Sequence, residues 1–119
     1  MNTRTFRITV RGVFDGLTDD QRAALLADAD AHDVLRAAFT REGSLTYDIA
    51  ARPAFVFRFS DTGEKEEDIL GATERAETAA KSWLSERGYG FKNLRSSAED
   101  LSQAPLGKRR RRAARSAEG

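Results

Sequence analysis

The chain has 119 residues, of which 39% are hydrophobic and 33% charged, a length that suits one domain with a core of its own. It contains no cysteine, which excludes disulfides and thiolate chemistry and suits a reducing cytoplasm. No apolar run approaches the roughly 20 residues of a membrane span, and the first apolar residues alternate with arginines. We therefore expect a cytoplasmic protein with neither a membrane segment nor a signal peptide.

The net charge of +1 conceals two oppositely charged parts. Residues 1–107 hold 14 Lys and Arg against 18 Asp and Glu, a net charge of −4. Residues 108–119 hold six basic residues against one Glu, a net charge of +5. An acidic body is therefore followed by a short and strongly basic tail.

The first predicted element is a strand. Residues 4–14 alternate between two sets of side chains, the apolar Phe6, Ile8 and Val10 and the polar Arg7, Thr9 and Arg11. A period of two predicts a β-strand with one apolar and one solvated face.

A helix is predicted next, over residues 18–31, because Thr18 and Gln21 have the spacing of a capping box. His32, the only histidine, is expected at a solvated helix end. The segment 32–43 leaves three alternatives open: a longer helix, a short second helix that begins at Asp33, or an edge strand.

Two further strands are predicted by alternation of apolar and polar residues. Strand 2 carries Leu45, Tyr47 and Ile49 and ends at Arg52-Pro53. Strand 3 places Phe55, Phe57 and Phe59 on one face, and we expect a turn at residues 61–63.

The last predicted elements are a long helix over residues 64–87, with acidic residues in its first turn, and a fourth strand over residues 89–95. The predicted buried face of this helix comprises Ile69, Thr73, Ala76, Ala80, Trp83 and Leu84. Gly88 has the position of a helix C-cap. A short turn is expected over residues 98–103.

The order β-α-β-β-α-β predicts an α+β, ferredoxin-like two-layer sandwich over residues 1–104, followed by a disordered basic tail over residues 105–119. In this arrangement strands 1 and 3 are central, and the three phenylalanines of strand 3 belong to the core rather than to a base-stacking surface.

The other sheet face is predicted to carry Arg7, Arg11 and Arg58, joined from strand 4 either by Lys92 or by Asn93 and Arg95. Three interpretations are open for the arginines: cross-strand ion pairing with Asp48, contact with the phosphates of a nucleic acid, or a dimer interface. A homodimer through this face is not favoured, because few of its side chains are apolar.

The basic tail is the strongest functional indication, because guanidinium groups pair with phosphate and release counterions on binding. Its candidate nucleic-acid-binding residues are Lys108, Arg109, Arg110, Arg111, Arg112 and Arg115. RNA or the ribosome is the expected partner, and a merely solubilising tail is the alternative. The chain shows no nucleophile–base pair, glycine-rich phosphate loop or zinc spacing, so no catalytic residue, metal or cofactor is predicted.

Three segments, residues 5–17, 45–53 and 88–95, together resemble a family of small uncharacterised actinobacterial proteins. The resemblance covers nearly the whole body. It implies a bacterial, cytoplasmic origin and carries no known activity. The sequence thus favours a non-enzymatic interaction protein. The alternative is a dimeric domain that binds or converts a small molecule in a pocket between sheet and helices.

Overall fold

The computed structural model describes residues 3–103, which form an α+β structure with one four-stranded antiparallel sheet and two helices. The strands are β1 (Arg4–Phe14), β2 (Ser44–Tyr47), β3 (Ala54–Gly63) and β4 (Phe91–Asp100), and the helices are α1 (Asp19–Ala27) and α2 (Asp68–Glu86). The sheet order is β2-β3-β1-β4, so β1 and β3 are central. The predicted tail, residues 105–119, lies outside the described residues.

One core lies between the sheet and the helices. Phe6, Ile8 and Val10 of β1 are fully buried. The phenylalanines of β3 lie beside them, in one cluster that also contains Leu25 of α1. Helix α2 contributes Ala72, Ala76, Ala80 and Leu84, and its small alanine side chains let the helix lie close to the sheet. The expectation that the β3 phenylalanines form core is therefore confirmed.

Helix α1 begins as predicted and ends four residues earlier than predicted. Thr18 Oγ1 accepts the Gln21 N–H at 3.1 Å, and Gln21 Oε1 accepts the Thr18 N–H at 3.0 Å. The predicted extension over residues 28–31 is wrong, because a 3-10 turn forms over Ala29–His32 instead. No residue of this turn is buried, so no apolar stripe favours a continued helix.

The segment 32–43 follows most nearly the second of its three alternatives. Asp33 caps a short 3-10 turn, Val34–Arg36, by accepting the Leu35 N–H at 2.8 Å. The chain then runs to Thr40, which bridges Phe59 of β3. The expected solvated position of His32 is wrong: its Nδ1 lies 2.9 Å from the Leu45 carbonyl oxygen, and its ring stacks on Tyr47.

Tyr47 ties β2 to α1. Its hydroxyl donates to the Leu25 carbonyl oxygen at 2.6 Å. Burial, with a smaller contribution from the Asp28 carboxylate, raises the pKa of Tyr47 to about 12, so the neutral hydroxyl persists as the donor.

Three element boundaries differ from the sequence expectation between residues 44 and 87. Strand β2 ends at Tyr47 because a turn follows, in which the Asp48 carbonyl oxygen accepts the N–H groups of Ala51 and Arg52. The turn expected at residues 61–63 is wrong, because these residues remain paired with the start of β1. Helix α2 begins at Asp68, not at residue 64.

Asp68 explains that later start. Its Oδ2 accepts the N–H groups of Glu64 and Lys65, at 2.9 and 3.0 Å, and so fixes the preceding turn. The hydrogen bonds from Lys65 and Glu64 lower the pKa of the Asp68 carboxyl. At the other end, Gly88 follows α2 with a φ of 72°, the conformation expected after a helix C-cap.

Strand β4 is longer than predicted and runs to Asp100. Its last residues pair with β1, Asp100 lying opposite Phe6, and Arg4 Nη1 binds the Asp100 carboxylate at 2.9 Å. The expected turn therefore shrinks to a 3-10 turn over Leu101–Gln103. Near the start of β4, Asn93 has a φ of 58° where the β1–β4 register shifts, which marks a β-bulge.

The close packing of β1 against β3 predicts a cost for any side chain at Gly12. A Cβ there would lie 2.6 Å from Cζ of Phe55, whose ring is buried. We expect Gly12→Ala to lower the free energy of unfolding by about 1–3 kcal/mol, measured by urea denaturation.

Gly71→Ala is the matched control. A Cβ at Gly71 meets only Arg75 Nη1, at 3.4 Å, within helix α2. This change should raise the free energy of unfolding by about 0.5–1 kcal/mol through helix propensity. If Gly12→Ala and Gly71→Ala had the same free energy of unfolding, the Phe55 ring would be able to move aside without cost.

Candidate nucleic-acid interface

The sheet face opposite the helices, called here the open face, is polar and carries the candidate residues of the body. Cross-strand register places its members in neighbouring rows. They include Arg7, Thr9, Arg11 and Val13 of β1, Ala54, Val56, Arg58 and Ser60 of β3, Ser44 and Thr46 of β2, and Lys92, Arg95, Ser97 and Glu99 of β4. The predicted residues Arg7, Arg11 and Arg58 therefore share one face.

Among the described residues, the arginines of the open face are not neutralised by ion pairs, although Glu99 lies opposite Arg7. Within residues 3–103, Arg7, Arg11, Arg58 and Arg95 form no ion pair with a carboxylate, so the expected pairing with Asp48 is absent there. Arg11 lies directly opposite Arg95, a like-charge pair that is unfavourable across two strands. The open face thus concentrates positive charge on a body whose net charge is negative.

An aromatic ring lies beside Arg7. The Arg7 guanidinium carbon lies 5.0 Å from the centre of the Phe39 ring, a cation–π contact. Phe39 is half-buried and does not belong to the hydrophobic core cluster. Phe39 is thus a partly exposed aromatic ring beside Arg7, whereas the phenylalanines of β3 are buried.

Arg58 connects the open face to a cavity of about 490 Å³ beside β2. Its Nη1 donates to Thr46 Oγ1 at 2.8 Å, so this buried hydroxyl has a hydrogen-bond partner. The cavity lies between the open face and the 3-10 turns after α1. Its lining includes Leu26, Val34, Val56, Arg52, Arg58 and Asp48.

Sequence reasoning predicted most of this surface and missed its aromatic member. Lys92 and Arg95 are alternatives in the sequence, because a regular strand cannot place both on one face. The bulge at Asn93 brings both there. Phe39 belongs to the segment whose path the sequence leaves open, so no periodicity assigns it to a face. The six tail residues, from Lys108 to Arg115, lie outside the described residues.

Neither a metal-ligand cluster nor a membrane-spanning helix occurs within residues 3–103. No group of three or more His, Cys, Asp or Glu side chains in this range is arranged to hold a metal ion. Neither of its two helices has the length and apolar character needed to cross a membrane.

The described residues define an α+β domain with a basic, partly aromatic sheet face. By sequence, the chain belongs to the family described as "Family of unknown function (DUF6204)", whose model matches residues 1–112. No curated protein and no solved structure matches the chain. The resemblance to an uncharacterised family is thereby confirmed.

The Arg11–Arg95 pair predicts a gain in stability on charge reversal. We expect Arg11→Glu to raise the free energy of unfolding by about 0.2–1 kcal/mol at low salt, because the introduced carboxylate would lie opposite Arg95. Added salt should shrink this gain, which urea denaturation at two ionic strengths would measure.

Arg7→Glu is the control with the opposite sign. Arg7 lies opposite Glu99, so this reversal creates a like-charge pair and removes the contact with Phe39. It should lower the free energy of unfolding. If the two reversals changed stability in the same direction, the cross-strand charges would not be the cause.

Proposed function

We propose that this protein is a non-enzymatic binder of single-stranded RNA. The observation that carries this proposal is the group of arginines on the open face that form no ion pair within residues 3–103, with Phe39 beside Arg7. Guanidinium groups bind phosphates, and an aromatic ring stacks on an unpaired base. Because the rest of the body is acidic, such a face would also orient a polyanion toward itself.

The architecture we propose is the ferredoxin-like sandwich. Support comes from the element order β-α-β-β-α-β, the central positions of β1 and β3, and a core shared by both helices. This architecture leaves one sheet face uncovered, as binding of an extended nucleic acid strand requires.

We propose that the basic tail also binds RNA, because its side chains are positively charged. Its residues from Lys108 to Arg115 add six positive charges to the chain. Such charges strengthen binding to phosphates without reading a base sequence. In this proposal the protein is bacterial and cytoplasmic, and its partner is free RNA or a ribonucleoprotein.

The first test is binding of the full chain to a fluorescent oligouridylate of about 12 nucleotides. The affinity should fall steeply between about 50 and 200 mM salt. Arg11→Ala and Arg58→Ala should each weaken binding, whereas Lys81→Ala on α2 should leave it unchanged. The proposal would be contradicted if the full chain did not bind the oligouridylate, or if salt did not change the affinity.

Phe39 and the tail are tested separately. Phe39→Leu should weaken binding about tenfold, whereas Phe39→Tyr, which keeps the ring, should retain it. A chain truncated after Gly107 should bind more weakly than the full chain, with thermal unfolding as the check on its folding. If Phe39→Leu left the affinity unchanged, Phe39 would not belong to the site. If the truncation left it unchanged, the tail would not belong to it.

The cavity beside β2 favours a second candidate function, binding of a small molecule. Its volume of about 490 Å³ falls in the range of ligand sites. Two of the exposed large hydrophobic residues, Leu26 and Val34, line it together with side chains of both charges, Arg58 and Asp48. This chemistry suits a zwitterion that carries an aliphatic group.

L-Leucine is the probe for this second candidate. It should raise the melting temperature in proportion to the logarithm of its concentration, more strongly than octanoate does. Val34→Asp should abolish the shift, whereas Leu35→Asp should not, because Leu35 is 91% exposed and lies outside the lining. A melting temperature that neither compound changes would exclude this class of ligand.

A further inference from the structure

Strand β4 ends the sheet with a long outer edge. No described residue pairs with that edge, although the strand is ten residues long and its outward backbone groups are free to pair. The opposite edge is different: β2 has four residues, and Thr40 bridges Phe59 beside it. Among residues 3–103, the unpaired hydrogen-bonding capacity of the sheet is therefore concentrated at β4.

The middle of this edge is open to close approach. Ser96, Ser97 and Ala98 have small side chains. Ser96 donates a hydrogen bond to the Glu77 carboxylate of α2, so the helix layer reaches β4 as far as this residue. Ala98 is exposed although it lies opposite the buried Ile8, so the helix layer does not cover β4 at Ala98. The 3-10 turn that follows β4 packs against β1, on the inner side of the strand.

Charges on this strand are arranged symmetrically about Ser97. Arg95 precedes it by two residues and Glu99 follows it by two, so all three share the open face. Neither Arg95 nor Glu99 forms an ion pair within residues 3–103. When such a strand pairs with a copy of itself in antiparallel register centred on Ser97, each Arg95 lies opposite the Glu99 of the partner.

We propose that two copies of this chain associate through the outer edges of β4 in this register. Pairing centred on Arg95 or on Glu99 would instead bring like charges together, which is unfavourable. The two sheets would join into one of eight strands, with both open faces on the same side. This edge-to-edge dimer does not depend on the RNA-binding proposal, and it leaves the open face uncovered, unlike face-to-face pairing.

Sedimentation of the full chain, from about 1 μM to about 1 mM, tests the dimer. The wild type should form a concentration-dependent dimer. Arg95→Glu and Glu99→Arg should each weaken it about tenfold or more, because each reversal creates two like-charge contacts. The double variant R95E/E99R should restore it. Lys81→Glu and Glu74→Arg, exposed charge reversals on α2, are matched controls and should have no effect.

A second measurement uses the absence of cysteine from the chain. Ser97→Cys places the only thiol at the self-paired position, where the two Cβ atoms come close to disulfide distance. Under a mild oxidant this variant should form a covalent dimer, whereas Thr78→Cys on α2 should stay monomeric. A wild-type chain that is monomeric throughout would overturn the proposal. A dimer that is indifferent to the charge reversals or is not cross-linked through residue 97 would overturn it too.

Discussion

The structure depends on the alternation along β1. This strand is hydrogen-bonded on both sides, to β3 and to β4, so its register fixes the orientation of every neighbouring row. Phe6, Ile8 and Val10 enter the core because they alternate with Arg7, Thr9 and Arg11. The same period of two therefore creates both the hydrophobic contact with the helices and the arginine-bearing face. A change that reoriented β1 would destroy core and surface together.

The proposed RNA site and the proposed dimer edge share one strand without sharing their chemistry. On β4, side chains point to the open face, whereas the backbone groups of the outer edge point sideways, in the plane of the sheet. Arg95 takes part in both proposals, and within the chain it lies opposite Arg11. A partner's carboxylate beside it would offset that repulsion and would set two open faces next to each other.

Much of the fold could be predicted from local pattern, and the errors have physical causes. The Thr18–Gln21 cap and the phenylalanines of β3 are local features, and their prediction is confirmed. The end of α1 and the start of α2 are predicted wrongly, because contacts outside the local pattern decide them. After α1, His32 contacts the Leu45 carbonyl oxygen. Before α2, the Asp68 carboxylate accepts hydrogen bonds from the preceding turn. Phe39 is missed because its place depends on the distant bridge from Thr40 to Phe59. No local periodicity encodes such a contact.

The bulge at Asn93 divides β4 into two independently phased halves. Phe91 lies opposite Phe14 and Arg95 opposite Arg11, and a regular strand cannot satisfy both pairings with the residues present. The extra residue absorbs the mismatch, with the Asn93 backbone in the left-handed region. The bulge lets the residues before Asn93 pair in phase with Phe14 and the residues after it pair in phase with Arg11. Deleting this extra residue to restore a regular strand would turn either Phe91 away from the core or Arg95 away from the open face.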